Sequence, residues 1–544
     1  LRTRYDVVMM DYRGTGRSGA IDCKELQNAA EITEGNIGAC GRSLGAAAPL
    51  YSTALASDDL AAILDALAIE RVGLYGNSYG SYFAQVFTLR HRAKVRALVL
   101  DGADLLDGPD VAWSPNYAPA MRDKFNLACA RSRACAALAG TSLDHIAPAL
   151  AALRAHPFEA TVRFGDNRTL RLTANATALA IVMFAGSPAL SSVRETDAAA
   201  RAFVAGDTQP LLRLMAETLS SVDSRDPTRN PVIFSAGLEQ AVTCLDAPQI
   251  FDMYLPPAQR LAARDAAIAA RQAHAPATYA PFTIDEYRGM PLDYAFIDQC
   301  VEWPPPRGLP PSPLTFPDSS YPDVPVLVVS GELDDMTPVA DGAAVAAHFR
   351  RSHHVVIANS FHVNALPHAR SACAAHLVRR FMVSGAAGDE SCARAVPPVR
   401  LVPAFARRVG ELPAAEALRG NRAPAAALQV VTAALLTAED AIARAVDGGA
   451  GGGVGLRGGT FVAMTAHRGY RLELRTLRWT EDVSASGSVL WPGRTGLVRA
   501  RLDLETPQGR SRLELSWPEG VSGARATARG LIGGRRIAAE APAP

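Results

Sequence analysis

Apolar residues follow two different periods along this chain, and its first part mixes both. The short apolar runs Asp6–Met10, Val72–Tyr75 and Ala97–Leu100 have the length of buried strands, and Ala56–Ala68 repeats apolar residues at helical spacing. We expect Ser57 to cap that helix. Strands that alternate with helices over so short a stretch are typical of a parallel sheet with crossover helices. This part of the chain is therefore predicted to be an α/β fold.

The pattern changes after the third of these strands, where helical spacing takes over. Ser142–Ala155, Ala198–Leu219 and Pro257–Ala273 are predicted helices, and Ala160–Thr173 is a sheet-like piece between them. A Pro-rich run closes the stretch. Because strands resume afterwards, we interpret residues 105–320 as a helical insertion that forms a lid over the sheet.

The strand pattern returns with Val324–Val329 and His354–Ile357. Further along, residues 403–455 are predicted to be a linker that holds one helix, which Thr437 caps. The Gly-rich stretch Gly448–Gly453 is expected to be a flexible hinge.

Apolar and charged residues alternate along the last part of the chain, as in Tyr470, Leu472 and Leu474. A period of two with Gly turns between the runs predicts half-buried strands, and hence a small all-β domain. We find no catalytic constellation in it. The predicted regions are the first part of an α/β sheet over 1–104, the lid over 105–320, the second part of the sheet over 321–402, the linker over 403–455 and the β domain over 456–544.

Length and charge narrow the class of protein. A chain of 544 residues is too long for one core, and 55 basic against 54 acidic residues leave almost no net charge. A nucleic-acid binder shows a strong basic excess, so nucleic acid is not an expected partner. No run approaches the roughly 18 uninterrupted apolar residues of a membrane span, so none is expected. The oligomeric state stays open.

Eight cysteines fall into neighbouring pairs along the chain, and none shows the C-x-x-C spacing of zinc or redox sites. An even number in local pairs suggests four disulfides and an exported protein, secreted or periplasmic. Eight buried thiols in a cytosolic enzyme are the alternative, and the sequence does not fix the connectivity. The cysteines are Cys23 and Cys40, Cys129 and Cys135, Cys244 and Cys300, and Cys373 and Cys392.

The stretch Gly76-Asn77-Ser78-Tyr79-Gly80 lies between an apolar strand and a predicted helix. G-x-S-x-G in that position is the nucleophile elbow of an α/β-hydrolase, in which the glycines let strand and helix pack around a strained Ser backbone. The elbow predicts an α/β-hydrolase fold, with a mostly parallel sheet and an inserted helical lid, and it predicts Ser78 as the nucleophile.

A Ser hydroxyl needs a base that takes its proton and an acid that orients the base. In this fold the acid follows one late strand and the His follows the next. Asp334 and His362 stand at those two places. The alternatives for the acid are Asp335, Glu332 and Asp101, the last of which could instead hold a loop. The histidines interpreted as surface, packing or structural residues are His353, His354 and His368.

The oxyanion hole needs two backbone N–H donors, and one is expected from Tyr79, the residue after the nucleophile. The second is expected from a loop before the strand Asp6–Met10. We expect that loop, together with the first strands of the sheet, to precede Leu1, and the sequence shows no signal peptide. The Gly-rich turn Asp11–Ser18 lacks the residue order of a phosphate loop, so nucleotide binding is not expected.

These motifs together resemble the tripeptidyl aminopeptidase branch of the prolyl aminopeptidase-like α/β-hydrolases. The resemblance covers about residues 1–400. It implies Ser78 as nucleophile, Asp334 as acid and His362 as base. It also implies an exported serine hydrolase that removes short peptides or single residues from free N-termini. The segments that carry it are Asp11–Ser18, the elbow, Gly331–Asp334 with Thr337-Pro338, Ala241–Asp246, Cys300–Pro304 and the pair Cys373 and Cys392.

An aminopeptidase must recognise the ammonium group of its substrate, and acidic lid residues could do so through charge-assisted hydrogen bonds. Glu239, Asp246 and Glu302 are the candidates. We expect peptides with a free N-terminus as substrates, and no metal or organic cofactor. An esterase or lactonase of the same fold is the nearest alternative, because a triad serves any acyl transfer. A non-catalytic binding protein of the cell envelope is a further one.

Overall fold

The structure is a computed structural model. It describes residues 5–165, 167–184, 190–221, 229–292, 294–305, 314–315, 320–367, 369–449 and 451–544. His368 and most of the Pro-rich run that closes the predicted lid lie outside the described residues. The chain divides into two compact units: the first combines residues 1–123 with 221–396, and the second combines residues 124–220 with 397–544.

A four-stranded parallel sheet forms the centre of the first unit, which confirms the predicted sheet. Its strands lie in chain order and each pairs with the next, so the carboxyl ends all point to one edge. The strands are Val72–Ser78, Val95–Ala103, Val326–Gly331 and Ser352–Ile357. The two central strands are buried along almost their whole length, as expected of parallel strands that helices cover on both faces.

Helices cover both faces of this sheet. On one face Phe83 and Phe87, from the helix that follows Ser78, pack against Leu98 and Leu100. On the other face Leu377 belongs to a second buried cluster with the opposite side chains of the strands. The α-helices of the first unit are Lys24–Gln27, Glu34–Leu44, Thr53–Ala66, Tyr79–Arg90, the first half of Tyr117–Arg131, Ala236–Asp246, Pro257–His274, Ile284–Arg288, Val339–His348, Cys373–Ser384 and Ser391–Arg394.

The predicted cap at Ser57 is wrong. The helix begins at Thr53, and Ser52 is its N-cap, with its side chain accepting a hydrogen bond from the Leu55 N–H. Ser57 is buried inside the helix and donates its hydroxyl to the Ala54 carbonyl. A Ser within a helix often bonds back to the preceding turn in this way, so a Ser at the edge of an apolar pattern does not by itself fix the start.

The first predicted strand, Asp6–Met10, is wrong as well. Residues 5–10 pair with no strand among the described residues, and Val7 and Met9 are 53 % and 88 % exposed. Within the described part of the chain, Val72–Ser78 is the edge strand of the sheet and has a partner on one side only. An apolar run becomes a strand only where a neighbour offers backbone N–H and C=O groups, and no described segment does so here.

Disulfides fasten the helical pieces of the first unit to one another. Cys23–Cys40 joins the first two helical segments of the chain, and Cys244–Cys300 joins two parts of the predicted lid. All four sulfurs lie in one buried cluster with Trp303. Cys373–Cys392 closes the helix after the last strand, and Cys129–Cys135 lies in the second unit. The structure thus contains the four disulfides that the cysteine spacing suggested.

The second unit contains the middle of the predicted lid. Ser142–Ala155 is a helix as predicted, and the sheet-like piece is a hairpin of Phe158–Phe164 and Arg168–Ala174. The predicted helix Ala198–Leu219 is broken, because the chain turns at Gly206 with φ +90°. The remaining helices here are the end of Tyr117–Arg131, Arg133–Ala136, Ala176–Phe184, Leu190–Val204 and Gln209–Ser221.

A nine-stranded antiparallel sheet forms the other half of the second unit, which confirms the predicted all-β region. Buried and exposed residues alternate along its longest strands, Gly496–Thr506 and Gly509–Glu519, as the period of two predicts. Its strands are Glu416–Ala417, Gly451–Val454, Thr460–Thr465, Tyr470–Leu477, Ser484–Trp491, Gly496–Thr506, Gly509–Glu519, Arg525–Ile532 and Arg535–Pro542.

The predicted linker 403–455 differs most from the structure. Its helix spans Ala425–Gly448, and residues such as Val430, Val431 and Ala438 pack into one core with the sheet. Thr437 lies in the middle of this helix, so it is not an N-cap, and its hydroxyl donates to the Ala433 carbonyl. The expected hinge is also wrong, since Gly451–Val454 pairs as a strand. Apolar residues on several sides of a helix indicate burial, which the linker interpretation overlooked.

Within the described residues, Ala425–Gly448 is the one helix long and apolar enough to cross a membrane, with a mean hydropathy of 1.4. Most of that stretch, 72 %, is buried inside the structure. A core helix of a folded domain meets the same criterion of length and composition. The expectation of no membrane span therefore stays a prediction.

Buried ion pairs connect the two sequence segments of the second unit. The guanidinium of Arg213 lies 3.2 Å from Glu195 and 3.0 Å from Asp440. Arg444 pairs with the same two acids. Glu195 and Arg213 come from residues 124–220, whereas Asp440 and Arg444 belong to the helix Ala425–Gly448. Each charge in this group is more than nine-tenths buried, so removal of one leaves its partners uncompensated.

Candidate active site

Ser78 occupies a strained position at the carboxyl end of the edge strand. Its backbone has φ +51° and ψ −130°, a combination that residues other than glycine rarely adopt. Gly76 makes the turn possible, because a Cβ there would stand 2.1 Å from the Gly80 carbonyl oxygen. The helix begins at Tyr79, directly after the serine. The sequence therefore folds into the expected elbow.

His362 reaches this serine from the loop after the last strand of the parallel sheet. Its Nε2 lies 2.8 Å from Ser78 Oγ, and its Nδ1 lies 2.9 Å from Asp334 Oδ2. Burial acts to lower the pKa of His362, but the charge of Asp334 and its hydrogen bond outweigh that effect and raise the pKa above its usual value. The structure thus brings the three predicted residues together in one hydrogen-bonded chain.

Asp334 is fixed by the turn in which it lies. The backbone N–H groups of Met336 and Thr337 donate to its Oδ1, at 2.9 and 3.1 Å. The Thr337 hydroxyl donates to Oδ2 at 2.6 Å. Burial acts to raise the pKa of Asp334, but His362 and the Thr337 hydrogen bonds outweigh it, so the pKa lies below its usual range. A carboxylate in this setting stays ionised beside the imidazole.

The other acids considered from the sequence have different roles. Asp101 accepts hydrogen bonds from the N–H groups of Asn364 and Ala365, at 2.8 and 2.7 Å, and from the Tyr75 hydroxyl at 2.9 Å. It therefore holds the loop that carries His362, as its alternative interpretation proposed. Glu332 accepts from the Asn359 N–H at 2.8 Å. Among the described contacts, Asp334 is the carboxylate that accepts a hydrogen bond from His362 Nδ1, and Asp335 is buried next to it in the chain.

The other histidines near the last strand also have separate partners. His353 pairs with Glu390 at the surface. The Nε2 of His354 lies 3.0 Å from the Ser330 hydroxyl. Neither bonds to Ser78 among the described contacts, so their interpretation as surface and packing residues agrees with the structure.

Two glycines in the site have a packing role that the sequence did not predict. A Cβ at Gly331 would stand 2.1 Å from the Phe361 carbonyl oxygen, so the acid strand and the histidine loop touch there through backbone alone. Gly102 has φ +71°, and a Cβ on it would stand 2.9 Å from Thr337 Oγ1 and 3.1 Å from His362 Cε1. Glycine is required at these two positions because atoms from distant parts of the chain lie close to them, and the sequence does not show which parts of the chain come together.

Tyr79 supplies its N–H at the start of the helix, where that group has no partner in a preceding turn. Its side chain is held separately, because its hydroxyl lies 2.8 Å from Thr53 Oγ1. The Thr53 N–H in turn donates to Asp246 Oδ2 at 2.6 Å, and the Tyr82 hydroxyl donates to the Asp246 carbonyl at 3.1 Å. Asp246 therefore anchors the segment beside the elbow.

The three acids expected to bind a substrate ammonium are thus placed differently from one another. Asp246 is buried and bonded to Thr53, and burial raises its pKa to about 6. Glu302 lies 3.9 Å from Arg42. Glu239 is half-buried and lies about two turns before Asp246 on the helix Ala236–Asp246. None of the three makes a described hydrogen bond to Ser78, Asp334 or His362.

Two acids that sequence reasoning missed lie close to the triad. Asp104 follows the end of the strand Val95–Ala103, and burial raises its pKa to about 7. Asp341 lies in the first turn of Val339–His348 and is 7 % exposed, and burial raises its pKa to about 6. Both carboxylates interact electrostatically with Asp334, and Asp104 does so with His362 as well. The pattern of apolar residues along the chain does not indicate that either acid lies near the triad.

In the second unit, four side chains have the spacing of metal ligands. Ligand atoms of Cys129, Cys135, His145 and Asp197 all lie within 4.8 Å of one another. However, the two sulfurs form a disulfide, and His145 Nδ1 lies 2.7 Å from Asp197 Oδ2. In this oxidised state the sulfurs are not thiolates, the form in which cysteine binds zinc.

The chain matches two protein-family models. Residues 1–162 match the α/β hydrolase fold, and residues 286–392 match the model described as TAP-like protein. The parallel sheet, the strained serine elbow and these matches identify an α/β hydrolase fold in this chain. Its particular likeness, over the segment that carries Asp334 and His362, is to the TAP-like family.

Curated relatives match over a short stretch. The chain is 45 % identical over 67 residues to 2-hydroxy-6-oxo-2,4-heptadienoate hydrolase of Pseudomonas putida, which is 11 % of this chain and 24 % of that protein. It is 38 % identical over 72 residues to 2-hydroxymuconate semialdehyde hydrolase of a Pseudomonas species, which is 12 % and 25 %. The chain thus spans about a quarter of the length of these relatives.

Among solved structures, an N-acyl homoserine lactone degrading enzyme is similar over 57 % of this chain and 67 % of its own, at 16 % identity and a TM-score of 0.22. A thermophilic esterase from Thermogutta terrifontis is similar over 57 % and 65 %, at 15 % identity and a TM-score of 0.19. Scores this low carry no argument about this protein.

Proposed function

We propose that the protein is a serine hydrolase in which Ser78 is the nucleophile, His362 the general base and Asp334 the acid that orients it. The observation that carries this proposal is the chain of hydrogen bonds from Ser78 Oγ through both nitrogens of His362 to Asp334 Oδ2, at 2.8 and 2.9 Å. A nucleophile, a base within hydrogen-bond reach and a third group behind the base are the parts that acyl transfer needs.

The reaction follows from these positions. Ser78 Oγ attacks the carbonyl carbon of the substrate while His362 Nε2 takes the hydroxyl proton. The Tyr79 N–H donates to the oxyanion of the tetrahedral intermediate. When this intermediate collapses, the leaving group takes the proton from His362 and departs, and an acyl-enzyme remains on Ser78. Water then attacks the acyl group with His362 again as base, which regenerates the serine.

We further propose that the substrates are peptides with a free N-terminus, so that the enzyme is an aminopeptidase. The match of residues 286–392 to the TAP-like model supports this subtype, as does the resemblance of the motifs around Asp11, Ser78 and Asp334 to tripeptidyl aminopeptidases. The four disulfides support an exported protein, because disulfides persist in oxidising compartments.

An esterase, or an enzyme that cleaves a carbon–carbon bond beside a carbonyl, is the second candidate. The names of the two curated relatives favour it, although the chain matches only about a quarter of each. The same triad serves these reactions, so the substrate decides between the candidates.

The test compares reporters that differ only at the N-terminus. The purified protein is assayed with alanine and Ala-Ala-Pro p-nitroanilides, each free and N-acetylated, and with p-nitrophenyl acetate. An aminopeptidase cleaves the free anilides and loses the acetylated ones, and the preferred length shows whether it releases single residues or tripeptides. Cleavage of the ester alone overturns the aminopeptidase proposal and leaves an esterase.

A variant isolates the proposed nucleophile. Ser78→Ala is expected to abolish turnover of every reporter, because it removes the hydroxyl that attacks the substrate. The thermal unfolding temperature is expected to stay close to that of the wild type, because only one side-chain oxygen is lost. Ser330→Ala is a matched control, since its hydroxyl bonds to His354 and lies outside the triad. Activity that survives in Ser78→Ala would contradict the assignment. Absence of any turnover in the wild type favours the binding-protein alternative.

A further inference from the structure

The carboxyl edge of the parallel sheet carries two acids that no reaction step uses. We propose that Asp104 and Asp341 form the binding site for the positively charged amino group of the substrate, beside the triad. This inference rests on the proposed aminopeptidase function and deepens it, because it names the residues that select a free amine. It differs from the expectation drawn from the sequence, which assigned this task to Glu239, Asp246 and Glu302.

The backbone of Asp104 is held in place next to the histidine. Its N–H donates to Ser81 Oγ at 2.9 Å, and its carbonyl accepts from Gln85 Nε2 at 2.8 Å. Both partners lie on the helix that begins directly after Ser78. Gly102, two residues earlier, lies beside His362, since a Cβ on this glycine would stand 3.1 Å from His362 Cε1. Asp104 is therefore tied to the elbow helix, and Gly102 places the same segment beside the histidine.

Its carboxylate is left without a partner. Across the described part of the chain, no side chain or backbone group makes a hydrogen bond or an ion pair with the Asp104 carboxylate. Burial raises its pKa to about 7, and nearby Asp334 and Asp341 act in the same direction. The Asp104 side chain is only partly buried, so its carboxylate is open to a cation that arrives from outside the chain.

Asp341 stands in a similar environment. It is 7 % exposed, and its described hydrogen bond comes from the neutral amide of Asn116, whose Nδ2 lies 2.6 Å from Oδ1. No Lys, Arg or His among the described residues pairs with it. The Asn116 amide orients the carboxylate but brings no positive charge. Two acids near each other and near Asp334, with no cation between them, produce a local negative field at the site.

Two other buried acids of the first unit have several partners. Asp298 contacts the guanidinium groups of Arg264 and Arg288 at 3.1 and 3.0 Å. Asp101 accepts three hydrogen bonds, two of them from backbone N–H groups. Asp104 and Asp341 have fewer partners among the described residues, and neither of them pairs with a cation there. A positively charged partner is expected from outside the chain, and the triad beside them is the place where a substrate arrives.

Neighbouring aromatic side chains favour an organic cation. The ring of Tyr117 is enclosed near both acids, and its pKa is raised by burial first and by the charges of Asp104 and Asp341 besides. Tyr287 stacks on Tyr279 with ring centroids 3.7 Å apart in the same region. An ammonium group with its alkyl substituent fits between carboxylates and aromatic rings better than a hydrated metal ion does. The substrate class is therefore an amide with a free amino group near the scissile bond.

The acids considered earlier are engaged in other contacts. The Asp246 carboxylate is bonded to the Thr53 N–H, and Glu302 faces Arg42. A carboxylate that already accepts hydrogen bonds from the protein has fewer lone pairs free for a substrate, whereas Asp104 has no such partner among the described residues. This difference is the reason to assign recognition to the pair at the end of the sheet.

The experiment measures selectivity for a free amine. Wild type, Asp104→Asn and Asp341→Asn are assayed at pH 8 with alanine p-nitroanilide, its N-acetylated form and p-nitrophenyl acetate. The ratio of kcat/KM for the free to the acetylated anilide is expected to fall about 10–100-fold in each variant, mainly through KM, because a charge-assisted hydrogen bond is lost. Asp107→Asn is the matched control: Asp107 lies three residues further along, is exposed, and is expected to leave the ratio unchanged.

The outcomes separate this inference from the proposed function. If wild type cleaves free and acetylated anilides equally, the aminopeptidase proposal fails whatever the variants do. If wild type prefers the free amine and both variants keep the preference, the assignment of Asp104 and Asp341 is overturned while the aminopeptidase stands. If a variant loses activity on all three substrates in equal proportion, the residue acts on His362 rather than on the amine, and the assignment is again overturned.

Two further measurements keep the test decisive. Thermal unfolding of each variant shows whether it is folded, and a substitution by Asn preserves the shape of the side chain. Activity of the wild type is also measured after treatment with a chelator and after addition of Mg²⁺ or Ca²⁺. Independence from these ions is expected, whereas a strict requirement would identify the pair as a metal site and overturn the inference.

Discussion

His362 Nε2 lies 2.8 Å from Ser78 Oγ, although 284 positions separate the two residues along the chain. The contact depends on a loop that a distant residue holds in place. Asp101 holds this loop through the N–H groups of Asn364 and Ala365, and Gly102 gives the imidazole room. The strand before the lid therefore positions the base that follows the last strand.

This relationship predicts a strong effect of a single methyl group. Gly102→Ala would place a Cβ 3.1 Å from His362 Cε1 and 2.9 Å from Thr337 Oγ1, in a backbone with φ +71°. We expect kcat/KM for every substrate to fall about 10-fold or more, because a small displacement of a base lowers the rate steeply. Assays with p-nitrophenyl acetate and the free anilides measure the loss.

The control for this variant is Gly19→Ala. Gly19 has a similar φ of +78°, but nothing lies within 4 Å of its Cβ position. Both substitutions therefore carry the strain of a positive φ, and only one meets the triad. Equal losses of activity in the two variants would mean that strain in the fold, and not the contact with His362, causes the effect.

The pH dependence of the reaction reports on His362. The base must be neutral to accept the Ser78 proton, and its pKa is raised above the usual value because Asp334 outweighs the effect of burial. Activity therefore falls as the pH drops through this raised pKa, and we expect the half-point of kcat/KM above pH 6.5, the reference value. The neutral ester is the substrate of choice, since an amine would add its own titration. A half-point at or below pH 6.5 would contradict the assigned partner.

The sequence predicted the triad because each member stands at the end of a strand with a local motif. Gly76 to Gly80 fixes Ser78, and the order of acid and histidine after two apolar runs fixes Asp334 and His362. The sequence did not predict which residues are buried or which segments pair with one another. The predicted strand Asp6–Met10 has no pairing neighbour among the described residues, and hydrogen bonds to the elbow helix hold Asp104. Such facts depend on residues far away in the chain.

The second unit shows the same limit. Helical spacing assigned residues 124–220 to the lid, whereas the structure groups them with residues 397–544. The cause lies in charges that face one another across the unit, as between Arg213 and Asp440, and in the apolar sides of Ala425–Gly448. Period alone indicates that a helix has a buried side and does not indicate what covers it.

Asp104 is expected to lower the stability of the free protein. Its pKa in the folded state is about 7, raised by burial from 3.8. The folded state therefore binds this proton more tightly than the unfolded chain does, and stability falls as the pH rises from about 4 to 7. Asp104→Asn has no such dependence, so it is expected to be more stable than the wild type at pH 8, on the order of 1–2 kcal/mol, and equal to it below pH 4.

Unfolding by urea at pH 4 and pH 8 measures this difference. Asp107→Asn is again the control, because its side chain is exposed and no gain is expected. A lower stability of Asp104→Asn at pH 8 would mean that the carboxylate has a stabilising partner, which would also weaken the case for a substrate ammonium at this position.

The buried charges of the second unit are expected to be sensitive to the loss of one member. Arg213 is 2 % exposed and lies between Glu195 and Asp440, at 3.2 and 3.0 Å. In Arg213→Met these two acids share only Arg444, so one negative charge is buried without compensation. We expect the second unit to lose about 3–5 kcal/mol of unfolding free energy. Arg501→Met is the control, because Arg501 pairs with Glu514 on the exposed face of the sheet and its side chain is 82 % exposed. That substitution is expected to cost less than about 1 kcal/mol.

Tryptophan fluorescence during urea unfolding follows this unit through Trp479 and Trp517, which are buried in it. Equal midpoints for the two variants would show that the cluster around Arg213 tolerates the unpaired acids, and that other contacts between the two sequence segments are sufficient to join them.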